Sequence, residues 1–412
     1  YYQGSLVIIK SPYLSFESPQ YCLLIIRRSR EIMNLRTRRL LLFVAAPLVI
    51  IRARSEVDHG KIMIEWIRKE GGFVNPKIEI RRADPSDPKS RYGMFTNGML
   101  AQKEKLLEIP RNCLITSEKI SSKDENIDLE EEEEIIHESF KDSEVDCLTV
   151  RNLIKEMRKG DSSTRAPYVN YLLAEPWSHL PSSWSDKGKK ILNEMLEMFT
   201  NIPLPPEEST DWIDDDWLQQ CKGNNDPLEN NAALIVVQRS WDSVLIPVFD
   251  MMSHRNGKWL NTEDANVHHT SKPIKVRASR DCDEGEEIYT SYNMCNECGY
   301  RYETYGTPQI FRDYGFVEQY PHRWIFDKIS FEIVETDGKK VVVFLSGQPK
   351  PRAIAFLKNV VSGMKKAYEH LLNYTDLPKN ELASILQYNQ ALMEASSLAL
   401  ETVELQEVTD EL

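Results

Sequence analysis

Three short segments in the second half of the chain limit its fold more than any other feature. They are Leu245-Ile246-Pro247-Val248-Phe249-Asp250-Met251-Met252-Ser253-His254, then Gly285-Glu286-Glu287-Ile288-Tyr289-Thr290-Ser291-Tyr292, then Asp313-Tyr314-Gly315-Phe316-Val317. Each joins a strand-like apolar run to a polar or aromatic residue. A chain that ends three buried runs in this way is set up to bring functional side chains from distant stretches to one place.

The surrounding pattern divides the 412 residues into regions of different character. From His59 to Gly72 the apolar residues Ile62, Met63, Trp66 and Ile67 recur at helical spacing, and Gly71-Gly72 ends the helix. Strand-like runs follow at Lys77 to Arg82, Gly93 to Thr96, Leu106 to Pro110 and Cys113 to Thr116, the first two divided by the turn residues Asp84-Pro85-Ser86-Asp87-Pro88. Between about 118 and 230 the reading is helical. Leu148, Leu153, Ile154 and Met157 make one stripe, ended by Gly160, and Ile191, Leu192, Met195, Leu196 and Phe199 make another. Residues 231 to 320 return to strands and turns. Trp324 to Phe344 reads as a strand pair joined at Asp337-Gly338. Two helical patterns close the chain, one through Ile354, Leu357, Val361, Met364, Tyr368 and Leu371, the next through Leu382, Ile385, Leu386, Asn389 and Met393.

The net charge of −13 excludes a nonspecific nucleic-acid binder, which needs a basic footprint. Much of the acidic excess lies in two runs, Asp124 to Glu134 and Asp211 to Asp216, read as solvated faces. The latter run and Gly223-Asn224-Asn225-Asp226-Pro227 read as surface loops. Seven cysteines (22, 113, 147, 221, 282, 295 and 298) in a chain of this size do not make a disulfide framework. Only Cys295 and Cys298 have suggestive spacing. Metal, a local disulfide and free thiols all stay open for that pair, with Cys282, His268 and His269 as the sequence-near candidates for further metal ligands.

The first 58 residues stand apart as a targeting or poorly ordered segment, signal-like over 33–55. Met33 opens a stretch with basic Arg36, Arg38 and Arg39, an apolar run from Leu40 to Ile51, and Ala53-Arg54-Ser55. It reads like a secretory signal, and its apolar run is too short to span a bilayer. The chain ends Thr409-Asp410-Glu411-Leu412, similar to an endoplasmic-reticulum retention tail. Together the two suggest the lumen of the secretory pathway, with the cytoplasm or an organelle as the address if they do not hold.

The three segments, with the Leu106-Leu107-Glu108-Ile109-Pro110 strand before them and the words Ala166-Pro167-Tyr168 and Leu180-Pro181-Ser182-Ser183-Trp184 between, resemble the SET methyltransferase domain. The resemblance is to its non-histone branch, that of the plant Rubisco large-subunit lysine methyltransferase. It implies an α+β fold: a SET β-fold with a pseudoknot, split by a helical insertion and followed by a C-terminal helical lobe. The expected divisions are 59–117 for the N-terminal SET lobe, 118–230 for the insertion, 231–320 for the catalytic half and 321–412 for the strand pair and helical lobe.

Carried over residue by residue, the resemblance implies roles in methyl transfer from S-adenosylmethionine to a protein lysine. Tyr292 matches the catalytic tyrosine and Tyr314 an aromatic wall of the lysine channel. Asp250, Ser253 and His254 match the element that crosses the pseudoknot and lines the cofactor pocket. Arg239, in the strand before that element, matches an arginine near the cofactor carboxylate. Phe316 matches the aromatic that stacks on adenine, and Tyr92 with Gly93 matches the glycine turn. Ser253 stands where the family has asparagine, and Arg91 where it has the first turn glycine. The implied partner is a protein presenting a lysine to a monomeric enzyme. The chemistry suits these residue types. In-line displacement depends on positioning, a dry channel disfavours the charged amine, and oxygen acceptors favour the polarised methyl group. Three other readings stay open: a histidine acceptor, a SET domain kept as a peptide-binding module without catalysis, and a zinc-dependent activity at Cys295 and Cys298.

Overall fold

The computed structural model describes residues 58–410 apart from 88–89, 118–141, 176–178, 198–199, 201–203, 207–210, 264, 266–271, 294–303, 346 and 375. The signal-like segment, the last two residues of the tail, His268, His269, Cys295, Cys298 and Phe199 lie outside the described residues.

Helix α1 (His59–Lys69) opens the described chain. Asp58 caps it by accepting from the Lys61 N–H at 2.9 Å. Met63, Trp66 and Ile67 are buried, and Gly71, at φ +87°, makes the left-handed turn that ends the helix. Four strands follow: β1 (Phe73–Val74), β2 (Ile78–Arg82), β3 (Tyr92–Thr96) and β4 (Lys105–Ile109). The 113–116 stretch is no full strand; it forms a 3-10 turn at Arg111–Cys113 and a single bridge from Ile115 to Leu245.

Helices α2 (Asp142–Lys159), α3 (Ala166–Ala174) and α4 (Asp186–Glu197) come next. The buried stripe of α2 runs through Cys147, Val150, Leu153, Ile154 and Met157, while Leu148 is exposed, contrary to expectation. The acidic run from Asp211 is not a loop either. Asp211 accepts from the Asp214 N–H and opens a π-helix at Trp212–Gln220 whose Trp217 is buried. A disulfide between Cys147 and Cys221, 74 residues apart, ties the end of that helix to α2. It joins two cysteines that spacing gave no reason to pair.

The return to strands after residue 230 is overturned by α5 (Pro227–Arg239). Asp226 accepts from the N–H groups of Leu228 and Glu229, and Pro227 sits at the first helical position. The Ala232–Val236 run is buried all round, and such a run has no amphipathic period to tell helix from strand. Arg239 is therefore the last residue of a helix, not part of a strand.

The second half adds β5 (Ser240–Trp241), β6 (Val244–Leu245), β7 (Ser253–His254), β8 (Ile274–Arg277) and β9 (Glu287–Thr290). One sheet has the order β1-β4-β8, and another the order β2-β3-β9-β7. In the latter, β9 runs antiparallel to β3 but parallel to β7, with Ser253 opposite Tyr289 and His254 opposite Thr290. Strands nearly two hundred residues apart thus share one sheet.

The third sequence segment closes helix α6 (Thr307–Tyr314) rather than a strand. Gly315 caps it at φ +76°, and its N–H donates to the Phe311 carbonyl. The expected strand pair is three strands, β10 (His322–Phe326), β11 (Ile329–Thr336) and β12 (Lys339–Phe344), turning at Asp337 and Gly338, both at positive φ. Helices α7 (Pro351–Leu371) and α8 (Lys379–Asp410) pair along their length.

Two apolar cores result. One joins α1, α2, α3 and α5 to the first two sheets. The other joins α4, α6, α7 and α8 to the β10-β11-β12 sheet. The fold is α+β, with helices between its two β halves and a helical lobe after them. No helix of the described residues is long and apolar enough to cross a membrane.

Candidate active site

The edge of the four-stranded sheet, the end of α5 and the end of α6 converge on a cavity of about 460 Å³. Seven of the nine residues carried over from the sequence line it: Tyr92, Arg239, Ser253, His254, Tyr292, Tyr314 and Phe316. Gly93 and Asp250 are not part of the lining, although each adjoins it. A Cβ on Gly93 would stand 2.8 Å from Glu287 Oε1 and 2.9 Å from the Phe95 ring, so close packing accounts for the glycine.

An aromatic wall crosses the cavity. Ring centroids of Tyr292 and Tyr314 are 4.5 Å apart, those of His254 and Tyr292 5.0 Å, and those of His254 and Phe316 6.2 Å. Tyr292 donates its hydroxyl hydrogen to the Met252 carbonyl at 2.7 Å. Burial, opposed by Arg239 and Arg91, pushes its pKa up to about 12. The phenol is thus neutral at physiological pH, with oxygen lone pairs to offer rather than a proton to lose.

The imidazole is fixed from both sides. His254 Nδ1 accepts from the Tyr292 N–H at 3.0 Å, which puts the ring proton on Nε2, where it donates to Glu318 Oε2 at 2.6 Å. Glu318 is fully enclosed and also accepts from Asn293 Nδ2 and the Thr307 hydroxyl. Burial works to raise its carboxyl, but the hydrogen bonds from His254 and the Thr307 hydroxyl outweigh it and hold it below the ordinary carboxylate range.

Under the cavity lies a second polar group. Tyr168 donates to Asp250 Oδ2 at 2.9 Å, and Arg239 Nη1 donates to the Asp250 carbonyl at 2.6 Å. Asp250 Oδ1 is buried with no hydrogen-bond donor among the described residues. Burial drives the Asp250 carboxyl up to about 7. Arg239 Nη2 also lies 4.0 Å from Glu175 Oε2.

Sequence reading missed Glu287, Tyr289, Glu318 and Glu175. Glu287 and Tyr289 fall inside the Gly285–Tyr292 segment, and Glu318 directly follows Val317, so nearness to a functional segment was the available signal. Among the described residues no group of three or more His, Cys, Asp or Glu side chains is placed to hold a metal. Cys282, the described member of the proposed metal set, is buried, and its thiol donates to the Arg280 carbonyl.

Residues 91–293 match the family model of the SET domain. The chain carries a SET domain, and the cavity lies between its two β halves and the segment that follows. Among solved structures it is similar to the SET domain of LSMT bound to lysine and AdoHcy, at 12% identity over 85% of this chain and 92% of that one, with a TM-score of 0.50. It is equally similar to Rubisco LSMT bound to sinefungin and monomethyllysine, at 12% identity over 86% and 93%, with a TM-score of 0.50. At that identity the likeness is one of fold. Comparison with curated proteins by sequence finds no match.

Proposed function

We propose that this chain is a protein methyltransferase that uses S-adenosylmethionine and alkylates a lysine side chain. The observation that carries the reading is the hydroxyl of Tyr292, whose hydrogen is committed to the Met252 carbonyl while its ring lines the cavity beside His254 and Tyr314.

The lining fits such a donor. Phe316 next to the His254 ring offers a flat wall to a purine. Arg91 and Arg239 offer cations to a carboxylate. The bound donor supplies a methyl carbon on a positively charged sulfur, and the new N–C bond forms as the S–C bond breaks. The Tyr292 oxygen and the neighbouring backbone carbonyls are acceptors for polarised C–H groups, fixed in advance so that no reorganisation is needed at the moment of reaction. Tyr292 and Tyr314, with ring centroids 4.5 Å apart and planes tilted by 32°, narrow the approach and keep it apolar, which disfavours the ammonium and favours the free amine. The neutral phenol does not act as a base.

The neighbours carry lysine or monomethyllysine and donor analogues, which supports the same acceptor class here. The test is incubation with methyl-labelled S-adenosylmethionine and a cell lysate, followed by acid hydrolysis of the labelled protein. Methyl-lysine is the expected product, and methyl-histidine would reassign the acceptor. Tyr292→Phe should lower labelling by about two to three orders of magnitude, as loss of a transition-state acceptor does. Undiminished labelling by that variant overturns the mechanism. Absence of any calorimetric response to millimolar S-adenosylhomocysteine would leave a peptide-binding module instead.

A further inference from the structure

The cavity wall carries two arginines, and they are held differently. Arg239 is drawn into the protein, with Nη1 on the Asp250 carbonyl and Nη2 near Glu175. Arg91 stands half-exposed at the edge of β3, and Glu287 grips it end-on: Nη1 donates to Oε1 at 2.6 Å and Nη2 to Oε2 at 3.2 Å. Nη1 also contacts the Ser253 hydroxyl. The same carboxylate accepts from Ser253 Oγ at 2.7 Å and from the Tyr289 hydroxyl at 2.8 Å. Three donors, one just before β3, one on β7 and one on β9, therefore converge on one acceptor. Arg91, Ser253 and Tyr289 line the cavity, and Glu287 stands behind them.

A guanidinium has five N–H groups in a planar fork. Glu287 and Ser253 take the inner three. Nε and the second Nη2 hydrogen, which form the side-on edge, have no acceptor among the described residues. That edge has the spacing of a carboxylate. Ser253 has also given its hydroxyl hydrogen to Glu287, so it can offer a ligand only its lone pairs.

Resting on the methyl-donor reading above, we infer that Arg91 is the residue that binds the carboxylate of the donor, with Glu287 as the positioning residue that holds its free edge toward the cavity. The alternative, Glu287 as a competitor for Arg91, predicts the opposite response to neutralising Glu287, and this separates the two.

The experiment measures dissociation constants of S-adenosylhomocysteine and of 5′-methylthioadenosine, which lacks the amino acid end, for the wild-type chain, Arg91→Lys and Glu287→Gln. Arg91→Lys keeps the charge and loses the fork, and should weaken S-adenosylhomocysteine roughly 10- to 100-fold, the worth of a charge-assisted pair. Glu287→Gln should weaken it in the same direction by a smaller factor. Neither should move the methylthioadenosine constant by more than about twofold, because that ligand has no carboxylate for Arg91 to meet, so that constant also reports correct folding. An unchanged ratio of the two ligands in both variants overturns the assignment, as does tighter S-adenosylhomocysteine binding by Glu287→Gln. Binding of neither ligand by the wild-type chain overturns the donor reading, and the assignment with it.

Discussion

Glu318 Oε2 and His254 Nε2 lie 2.6 Å apart, each enclosed by the protein, and the other imidazole nitrogen accepts the Tyr292 N–H. A carboxylate that follows α6 thereby sets the orientation of a ring on β7, and that ring sets the backbone of the tyrosine beyond β9. The contact fastens three segments that meet nowhere else in the sequence.

Removing this carboxylate should be severe. Glu318→Ala leaves His254, Asn293 and Thr307 without their acceptor and should cost about 3–5 kcal/mol of stability, the usual result of breaking a buried pair. Glu318→Gln keeps the shape and one acceptor and should cost clearly less. Chemical denaturation of the two variants checks the order. Equal, small losses in both would mean that the pair does not fasten the site.

Gly315 holds α6 at the angle that points Tyr314 and Phe316 into the cavity. Its φ is +76°, and a Cβ there would come within 2.5 Å of the His179 carbonyl. Gly315→Ala should destabilise by at least about 1–2 kcal/mol, the left-handed penalty alone. The shifted rings should also weaken ligand binding, measured by calorimetry with S-adenosylhomocysteine alongside a melting curve.

Asp250 gives a pH signature. Its carboxyl rises from 3.8 to about 7 on burial, so the folded chain binds that proton more tightly than the unfolded chain. Its contribution to stability is full below pH 3.8 and is lost as pH climbs through about 7. Asp250→Asn removes the ionisation and should raise the melting temperature relative to wild type near neutral pH and above, with the gap closing on acidification. A gap independent of pH would refute the assignment of the titration to Asp250.

The Cys147–Cys221 bond closes a loop of 74 residues across the insertion. On the chain-entropy argument a crosslink of that span is worth up to about 4 kcal/mol. The double variant Cys147→Ala with Cys221→Ala should melt lower than wild type under oxidising conditions and match reduced wild type. Identical curves for all three would show that the crosslink adds nothing to stability.

Much of this was legible in order and residue type. The Leu245–His254 and Gly285–Tyr292 segments gave the two strands that pair in parallel, and the apolar spacing of His59 to Gly72 gave α1. What misled was local ambiguity. Ala232–Val236 is apolar on every side because α5 is enclosed, so strand and helix read alike until Asp226 and Pro227 are recognised as a helix start. Asp211 misled for the related reason that a capping carboxylate in an acidic run looks like any solvated charge.

By itself the sequence determined which residue types would be available at the site: the two tyrosines, the histidine and the arginine ahead of them. These are tied to local chain geometry, and local geometry is written in short runs. Only the tertiary structure decided that Arg91 meets Glu287, that Glu318 meets His254 and that Cys147 meets Cys221. Each of those contacts spans 64 to 196 residues. Which of many charged or thiol groups becomes a partner is set by how strands cross and helices dock, not by spacing along the chain.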